Sequence, residues 1–322
     1  MSKILEVKNL NIGFNLSEGF KQAIYDVNFS LEKGEMLAIV GESGCGKTIS
    51  TMSILQLLPE TAEIKKGEIL FHNKNILNFS QKQMQKIRGK KIALIPQDPM
   101  TSLNPLYTIG DQLLEIIELH QGLKGKEAIE KAVESLEKVK IPDAKDKMKS
   151  YPHEFSGGMK QRVIIAMALA CNAEIIIADE PTTALDVTVQ AQIMDILRDI
   201  KNNEKISIIL ITHDMGIVAQ NADKIAVMYA GRIVENTSVK ELFSNPKHPY
   251  TKALLNVILD INSKTIKTIE GHPPSLNDNI KGCPFHPRCS CCMDICKEKT
   301  PNLEKFDTNC HLVSCFLYEK QA

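Results

Sequence analysis

The chain has no excess of charge of either sign. Lys and Arg number 39 and Asp and Glu 39 over 322 residues, so no global basic field draws it to nucleic acid or to an anionic membrane surface. No uncharged apolar run approaches the roughly 18 residues of a membrane span. Any membrane role must therefore run through docking on another subunit. The N-terminal stretch Met1-Ser2-Lys3-Ile4-Leu5-Glu6-Val7-Lys8 lacks the apolar centre of a secretory leader, and no internal repeat or low-complexity tract interrupts the chain. What is present is ordinary for a globular enzyme: 43% hydrophobic and 24% charged residues, in a length that holds roughly two domains.

Against that background one octapeptide stands out, Gly41-Glu42-Ser43-Gly44-Cys45-Gly46-Lys47-Thr48, between an apolar run (Met36 to Val40) and a helix-like stretch. It reads as a phosphate-binding loop. Gly41, Gly44 and Gly46 let successive backbone N–H groups, those of Ser43 and Cys45 included, turn toward phosphate oxygens. Lys47 adds a point charge near the terminal phosphates, and the Thr48 hydroxyl suits Mg²⁺. A plain glycine-rich turn would not need the strand before it and the helix after it. Cys45, close to Lys47 and to a helix start, is expected to have a lowered thiol pKa and to be protected from alkylation by nucleotide.

The rest of the chain alternates β and α signals. Ile4 to Leu10 and Ala23 to Leu31 show period-2 apolar positions, Thr48 to Leu58 is expected to be helical up to Pro59, and Gly67 to Phe71 and Lys91 to Pro96 read as strands. From about 108 to 170 the pattern is helical, an all-helical subdomain set into an α/β core. Strands return at Glu174 to Asp179, Ser207 to Thr212 and Lys224 to Tyr229. The first two of these are nearly all apolar, as strands of a doubly covered parallel sheet are. The strand at Glu174 ends in two adjacent carboxylates: Asp179 is placed to hold Mg²⁺ and Glu180 to orient the attacking water. The strand at Ser207 ends in His213, at the edge where such sheets bind ligands.

Phe155-Ser156-Gly157-Gly158-Met159-Lys160-Gln161-Arg162, lying between the phosphate loop and the double carboxylate, resembles the signature motif of the ABC ATPase family. Ser156, Gly157 and Gly158 at a helix start would offer a hydroxyl and free N–H groups to a γ-phosphate. The resemblance implies a P-loop NTPase fold with an antiparallel β subdomain and a helical subdomain, and ATP with Mg²⁺ held between two subunits. Carried over by position, Gln97 resembles the family's sensor of Mg²⁺ and lytic water, Asp179 its metal carboxylate and Glu180 its catalytic base. Asp186 resembles the residue of the loop that couples the two sites, and His213 the γ-phosphate histidine. Phe14 is the candidate for the aromatic stacked on adenine, with Phe20 and Tyr25 near it in sequence. Phe155 stands where leucine is commoner and Met159 where glutamine is. Neither change removes a phosphate-facing group. No Asn-Lys-x-Asp motif of a guanine reader occurs.

The segments Gln97 to Pro105, Tyr151 to Met159 and His248-Pro249-Tyr250-Thr251 are similar to those of ATP-binding subunits of dipeptide and oligopeptide permeases. That resemblance implies an ATP-driven importer subunit, peripheral on the cytoplasmic face of the membrane. Its partners would be a sister ATPase in a heterodimer, two integral permeases and, indirectly, an extracellular peptide-binding protein. Nickel or another small solute is the alternative cargo. A soluble repair or translation ATPase would show two tandem cassettes or a long coiled coil, and an iron–sulfur sensor with a vestigial ATP site would not keep every catalytic residue.

The domain organisation expected is 1–245 for the nucleotide-binding domain and 246–322 for a small Cys-rich C-terminal module, because seven of the nine cysteines follow residue 245. Cys283, Cys289, Cys296 and Cys315 match the spacing of relatives in which this segment binds a [4Fe–4S] cluster. Zinc is the alternative, since four thiolates suit either. Cys291, Cys292 and Cys310 are spare thiols, and Cys171 lies in an apolar setting typical of a core.

Overall fold

A computed structural model describes residues 2–259, 269–278, 280–306 and 311–319. The chain divides into two compact units, Met1–Asn78 with Thr212–Ala322, and Phe79–Ile211. The residues beyond 245 therefore fall in the same unit as the phosphate loop.

The first unit opens with an antiparallel sheet in which Lys3–Leu16 lies between Gly19–Glu32 and Ala62–Phe71. Its inner face carries Leu5, Val7, Leu10 and Ile12, all buried. These positions do not keep a strict period of two. The register shifts between Val7 and Leu10, where Asn9 takes φ 45° and its N–H is taken by Asn28 Oδ1 at 2.8 Å. The bulge returns the apolar set to the core side after an extra residue. On the neighbouring strand Gly67 sits against it at φ 128°, and a Cβ there would meet Leu10 Cα at 2.7 Å. Only glycine fits.

A second sheet in this unit pairs Met36–Val40 in parallel with Lys224–Tyr229. The latter pairs antiparallel with Arg232–Ser238, which continues to the short Leu312–Val313 and Glu304–Lys305 strands. All five residues of Met36–Val40 are buried, so the run needs no polar alternation. The expected helix from Thr48 to Leu58 is shorter than its pattern: an α-helix covers Lys47–Met52, a 3₁₀ turn Ser53–Leu55, and Gln56 turns left-handed at φ 50°. Ser50, Thr51 and Ser53 bond back to the carbonyls of Gly46, Lys47 and Ser50, the local competition that weakens helices rich in hydroxyls.

In the second unit Ile92–Ile95, Ile175–Asp179 and Ser207–Thr212 form parallel pairs. Around them lie helices Ile109–Gln121, Gly125–Lys138, Gly157–Ala170 and Val187–Glu204, so the region from 108 to 170 is helical as its pattern predicts. Thr108 starts the first helix with a capping box closed by Asp111. Gly157–Ala170 buries Val163, Ile164, Ile165, Ala166 and Leu169, too many directions for one apolar stripe, as befits a helix at the centre of its unit.

Candidate functional site

The phosphate loop joins the Met36–Val40 strand to the Lys47–Met52 helix. Lys47, 5% exposed, donates to the carbonyls of Gly41 at 2.8 Å and Glu42 at 3.1 Å, which draws the loop around its own ammonium. Gly46 takes φ 104°, and a Cβ there would strike Ile24 Cδ1 at 2.4 Å. Ser43, Gly44 and Thr48 are exposed. The loop opens on a cavity of about 540 Å³ lined by Phe14, Tyr25, Ser43, Gly44, Cys45 and Gly46, among others, a size common for nucleotide and cofactor sites. Of the aromatics considered for adenine, Phe14 and Tyr25 reach this cavity. Phe20 instead lies under Lys65, whose Nζ is 4.7 Å from its ring centroid.

Cys45 corrects an expectation. Its neighbours in sequence predict a lowered pKa, but it is 6% exposed and burial pushes the thiol up to about 11, outweighing the pull of Lys47. Desolvation of the thiolate wins over one nearby charge.

In the second unit Asp179, 3% exposed, ends its strand. Glu180 takes φ 45°, and its N–H is held by Ile211 O at 2.9 Å. The cost of such a backbone for a non-glycine residue is met by its surroundings, a pattern concentrated at functional sites. Its carboxylate oxygen Oε2 accepts from Gln97 Nε2 at 3.1 Å and from Thr183 Oγ1 at 2.9 Å. The structure thus joins Gln97 to Glu180, residues just past the ends of two strands far apart in sequence.

Ser156 caps Gly157–Ala170 by accepting from Met159 N at 3.3 Å, and Gly158 presses on Val189, whose Cγ1 a Cβ would meet at 2.5 Å. Asp186 caps Val187–Glu204 through Val189 N at 3.0 Å, so both residues fill a structural role whatever else they touch. Val187 beside Asp186 is 81% exposed. His213 belongs to the first unit and is exposed. Asp214 next to it caps Met215–Asn221.

The sequence assigns no role to three further residues. Tyr250 Oη accepts from Glu42 N at 3.0 Å, and its ring lies 4.6 Å from Tyr229 and 5.4 Å from Phe285. Arg288 meets the Glu42 carboxylate with two bonds, 2.7 and 3.0 Å. Glu235 is fully buried and accepts from His248 N at 2.9 Å and Lys247 N at 2.8 Å, with His311 Nε2 at 2.7 Å. Burial pushes the His248 imidazole down to about 4. The His-Pro-Tyr-Thr segment could have pointed here, since it supplies His248 and Tyr250 together.

Cys283, Cys289, Cys296 and Cys315 line one small cavity of about 10 Å³ with Phe285 and His248. Burial pushes Cys283 and Cys315 up to about 11, and the neighbouring thiols add to it. Among the described residues no group of three or more His, Cys, Asp or Glu could hold a metal ion. Four thiolates brought close would repel one another, and a cation among them removes that repulsion. Cys283 and Cys289 also pack against a hydrophobic cluster that includes Val40, Val227 and Tyr229, so the Cys-rich segment shares a core with the P-loop strand. Cys291 and Cys292 are exposed, Cys171 is buried, and Cys310 lies outside the described residues.

Residues 24–183 match the family described as ABC transporter, and residues 234–296 the one described as oligopeptide/dipeptide transporter, C-terminal region. The chain is 48% identical over 325 residues to the dipeptide transport ATP-binding protein DppD of Bacillus subtilis, covering 100% of this chain and 97% of that one. It is 48% identical over 315 residues to the oligopeptide transport ATP-binding protein OppD of Escherichia coli, covering 97% and 93%. Among solved structures, a dimeric ATP-binding cassette in a post-hydrolysis state bound to ADP and phosphate is 28% identical with a TM-score of 0.65, over 73% of this chain and 98% of that one. A cassette of the cbiONQ complex of Clostridium perfringens is 30% identical with a TM-score of 0.67, over 76% and 92%.

Proposed function

Because this chain belongs to the ABC transporter family of ATP-binding proteins, in its oligopeptide and dipeptide branch, we propose the following working cycle for it as the ATP-hydrolysing subunit that powers peptide uptake. The observation that carries the chemistry is Glu180 at the end of its strand, held by Gln97 and Thr183. The triphosphate of ATP sits on the loop N–H groups from Gly41 to Thr48, with Lys47 at its end and the base against Phe14. Thr48, Gln97 and Asp179 suit the Mg²⁺, which supplies charge neutralisation of the phosphate oxygens. Glu180 accepts a proton from the water that attacks the γ-phosphate in line, and His213 contacts that phosphate. Ser156, Gly157 and Gly158 of a second ATPase subunit close the site, and Asp186 links the two sites of the pair.

No described helix is long and apolar enough to cross a membrane. The chain is a peripheral subunit on the cytoplasmic face, paired with a sister ATPase beneath two permeases and served by an extracellular binding protein. What supports peptide over nickel as cargo is the match of residues 234–296 to the peptide-transporter C-terminal region. Reconstituting the chain with its permeases and binding protein tests this: ATP turnover rises with peptide-loaded binding protein. Stimulation by nickel in place of peptide would overturn the cargo. We also propose that Cys283, Cys289, Cys296 and Cys315, which share one cavity, carry a [4Fe–4S] cluster, with zinc as the alternative.

A further inference from the structure

Arg288 has five N–H donors, and the structure uses all of them. Two reach the Glu42 carboxylate at 2.7 and 3.0 Å, one the Tyr229 hydroxyl at 3.3 Å, one Glu270 O at 3.0 Å and one Ile269 O at 3.4 Å. Its side chain is 5% exposed, and the bond to Glu42 raises its already high pKa, so it is a fixed cation. One guanidinium therefore ties the phosphate loop, the end of the Lys224–Tyr229 strand and the backbone at Ile269 and Glu270 into one body. The chain then turns at Gly271, φ 79°, where a Cβ would meet Arg288 Cγ at 3.3 Å. It goes on into Pro273, Pro274, Ser275 and Leu276, which line the same 540 Å³ cavity as Gly44, Cys45 and Phe14. Ile280 lines it too. Leu276 is left 48% exposed, and two successive prolines keep the stretch extended and stiff.

We propose that Pro273 to Leu276, with Ile280, form a wall of the nucleotide site supplied by the same chain, against which the base and ribose of ATP pack, and that Arg288 is the residue that positions this wall. The proposal rests on the reading of the cavity as the ATP site. The phosphates are tied to the loop N–H groups, so the rest of the nucleotide extends into the remaining volume, which Phe14, Tyr25, Arg232 and this segment help to bound. Pro273, Pro274, Leu276 and Ile280 give it an apolar, proline-stiffened surface that suits the faces of a purine and a ribose, and Asp278, which lines the same cavity, is of the wrong charge for phosphate. ATP affinity thus depends on the C-terminal segment, while affinity for phosphate alone does not.

The experiment uses the full-length protein with Mg²⁺ and a fluorescent ATP analogue, displaced in parallel by ATP and by inorganic tripolyphosphate. Leu276→Ala and Leu276→Asp change a half-exposed side chain, so the fold is kept. Each is expected to weaken ATP by at least about fivefold, the scale of losing part of one leucine contact, with tripolyphosphate unchanged within about twofold. Arg288→Lys, which keeps the charge and loses the fork, is expected to show the same split. Lys47→Ala is expected to weaken both ligands by more than about tenfold. If Lys47→Ala behaves so and the other variants bind ATP like the wild type, the wall is wrong and the ATP site stands. If the Leu276 variants weaken both ligands equally, the segment acts through the phosphate loop and the wall is likewise wrong. If Lys47→Ala leaves ATP binding intact, the cavity is not the ATP site.

Discussion

Gln97 and Thr183 donate to the same oxygen of Glu180, at 3.1 and 2.9 Å. A carboxylate with two donors on one oxygen is fixed in direction, which is what a base aimed at a single water requires. The left-handed backbone of Glu180 adds to this by turning the chain sharply where the strand ends.

Glu180→Gln keeps the shape and both donors' reach but cannot take a proton. In the complex with its permeases it is expected to bind ATP normally and to slow turnover by at least about a hundredfold, the scale of a lost general base, with the ATP-bound dimer persisting on a sizing column. Near-normal phosphate release would remove Glu180 from the role. Gln97→Ala is expected to have a smaller effect on turnover, because Thr183 still holds the carboxylate.

Cys45 should be slow toward thiol reagents. With the folded thiol at about 11, its thiolate fraction at neutral pH is far below that of an ordinary cysteine. In a timed maleimide reaction read by peptide mapping, the exposed Cys291 and Cys292 are expected to label first and Cys45 last. Labelling of Cys45 as fast as these two would mean that the loop opens readily in solution.

Much of this was legible because the signals are local. The spacing from Gly41 to Thr48, the apolar run ending at Asp179 and Glu180, and the helix start at Ser156 depend on neighbours within a few residues. The Cys45 pKa was not, because Lys47 is visible in the sequence while the burial that outweighs it arises only in the fold. Nor was the Glu42–Arg288 pair, whose partners lie 246 residues apart. The helix after the loop ends early for a reason that can be read, the cluster Ser50, Thr51 and Ser53, but an apolar pattern running on to Leu58 masks it.

Acid should loosen the first unit through His248 and Glu235. Burial holds the folded imidazole at about 4 against an ordinary 6.5, and Glu235 beside it has its carboxylate pKa lowered by its partners, foremost His311, against the opposing effect of burial. Both groups bind more protons when unfolded, so stability rises with pH in this range. Their contribution is complete above about pH 6.5 for His248 and falls as pH drops toward 4. Lys247, His311 and Glu241 are the other ionisable groups at this site. The melting temperature is expected to fall between pH 7 and 4.5, and less so in His248→Gln. An equal fall in that variant would assign the effect elsewhere.

The four thiols give the last prediction. Cys283, Cys289, Cys296 and Cys315 share a cavity, and burial, with the neighbouring thiols adding to it, raises the thiol pKa of Cys283, Cys289 and Cys315. A cationic centre reverses that balance, since it stabilises thiolates and removes their repulsion. Protein prepared without oxygen is therefore expected to be brown, with broad absorbance near about 400 nm, the general mark of thiolate-bound iron–sulfur. Cys315→Ser is expected to bleach the colour while tripolyphosphate binding at Lys47 persists, because that mutation leaves Arg288 and its two bonds to Glu42 in place. Melting temperature is expected to fall with the colour, because a bound group that holds four ligands adds its binding energy to folding. Oxygen-free protein carrying about one zinc and no iron per chain would replace the cluster by zinc, and protein carrying neither metal with an unchanged melting temperature would leave the four thiols as packing residues of the core they already touch.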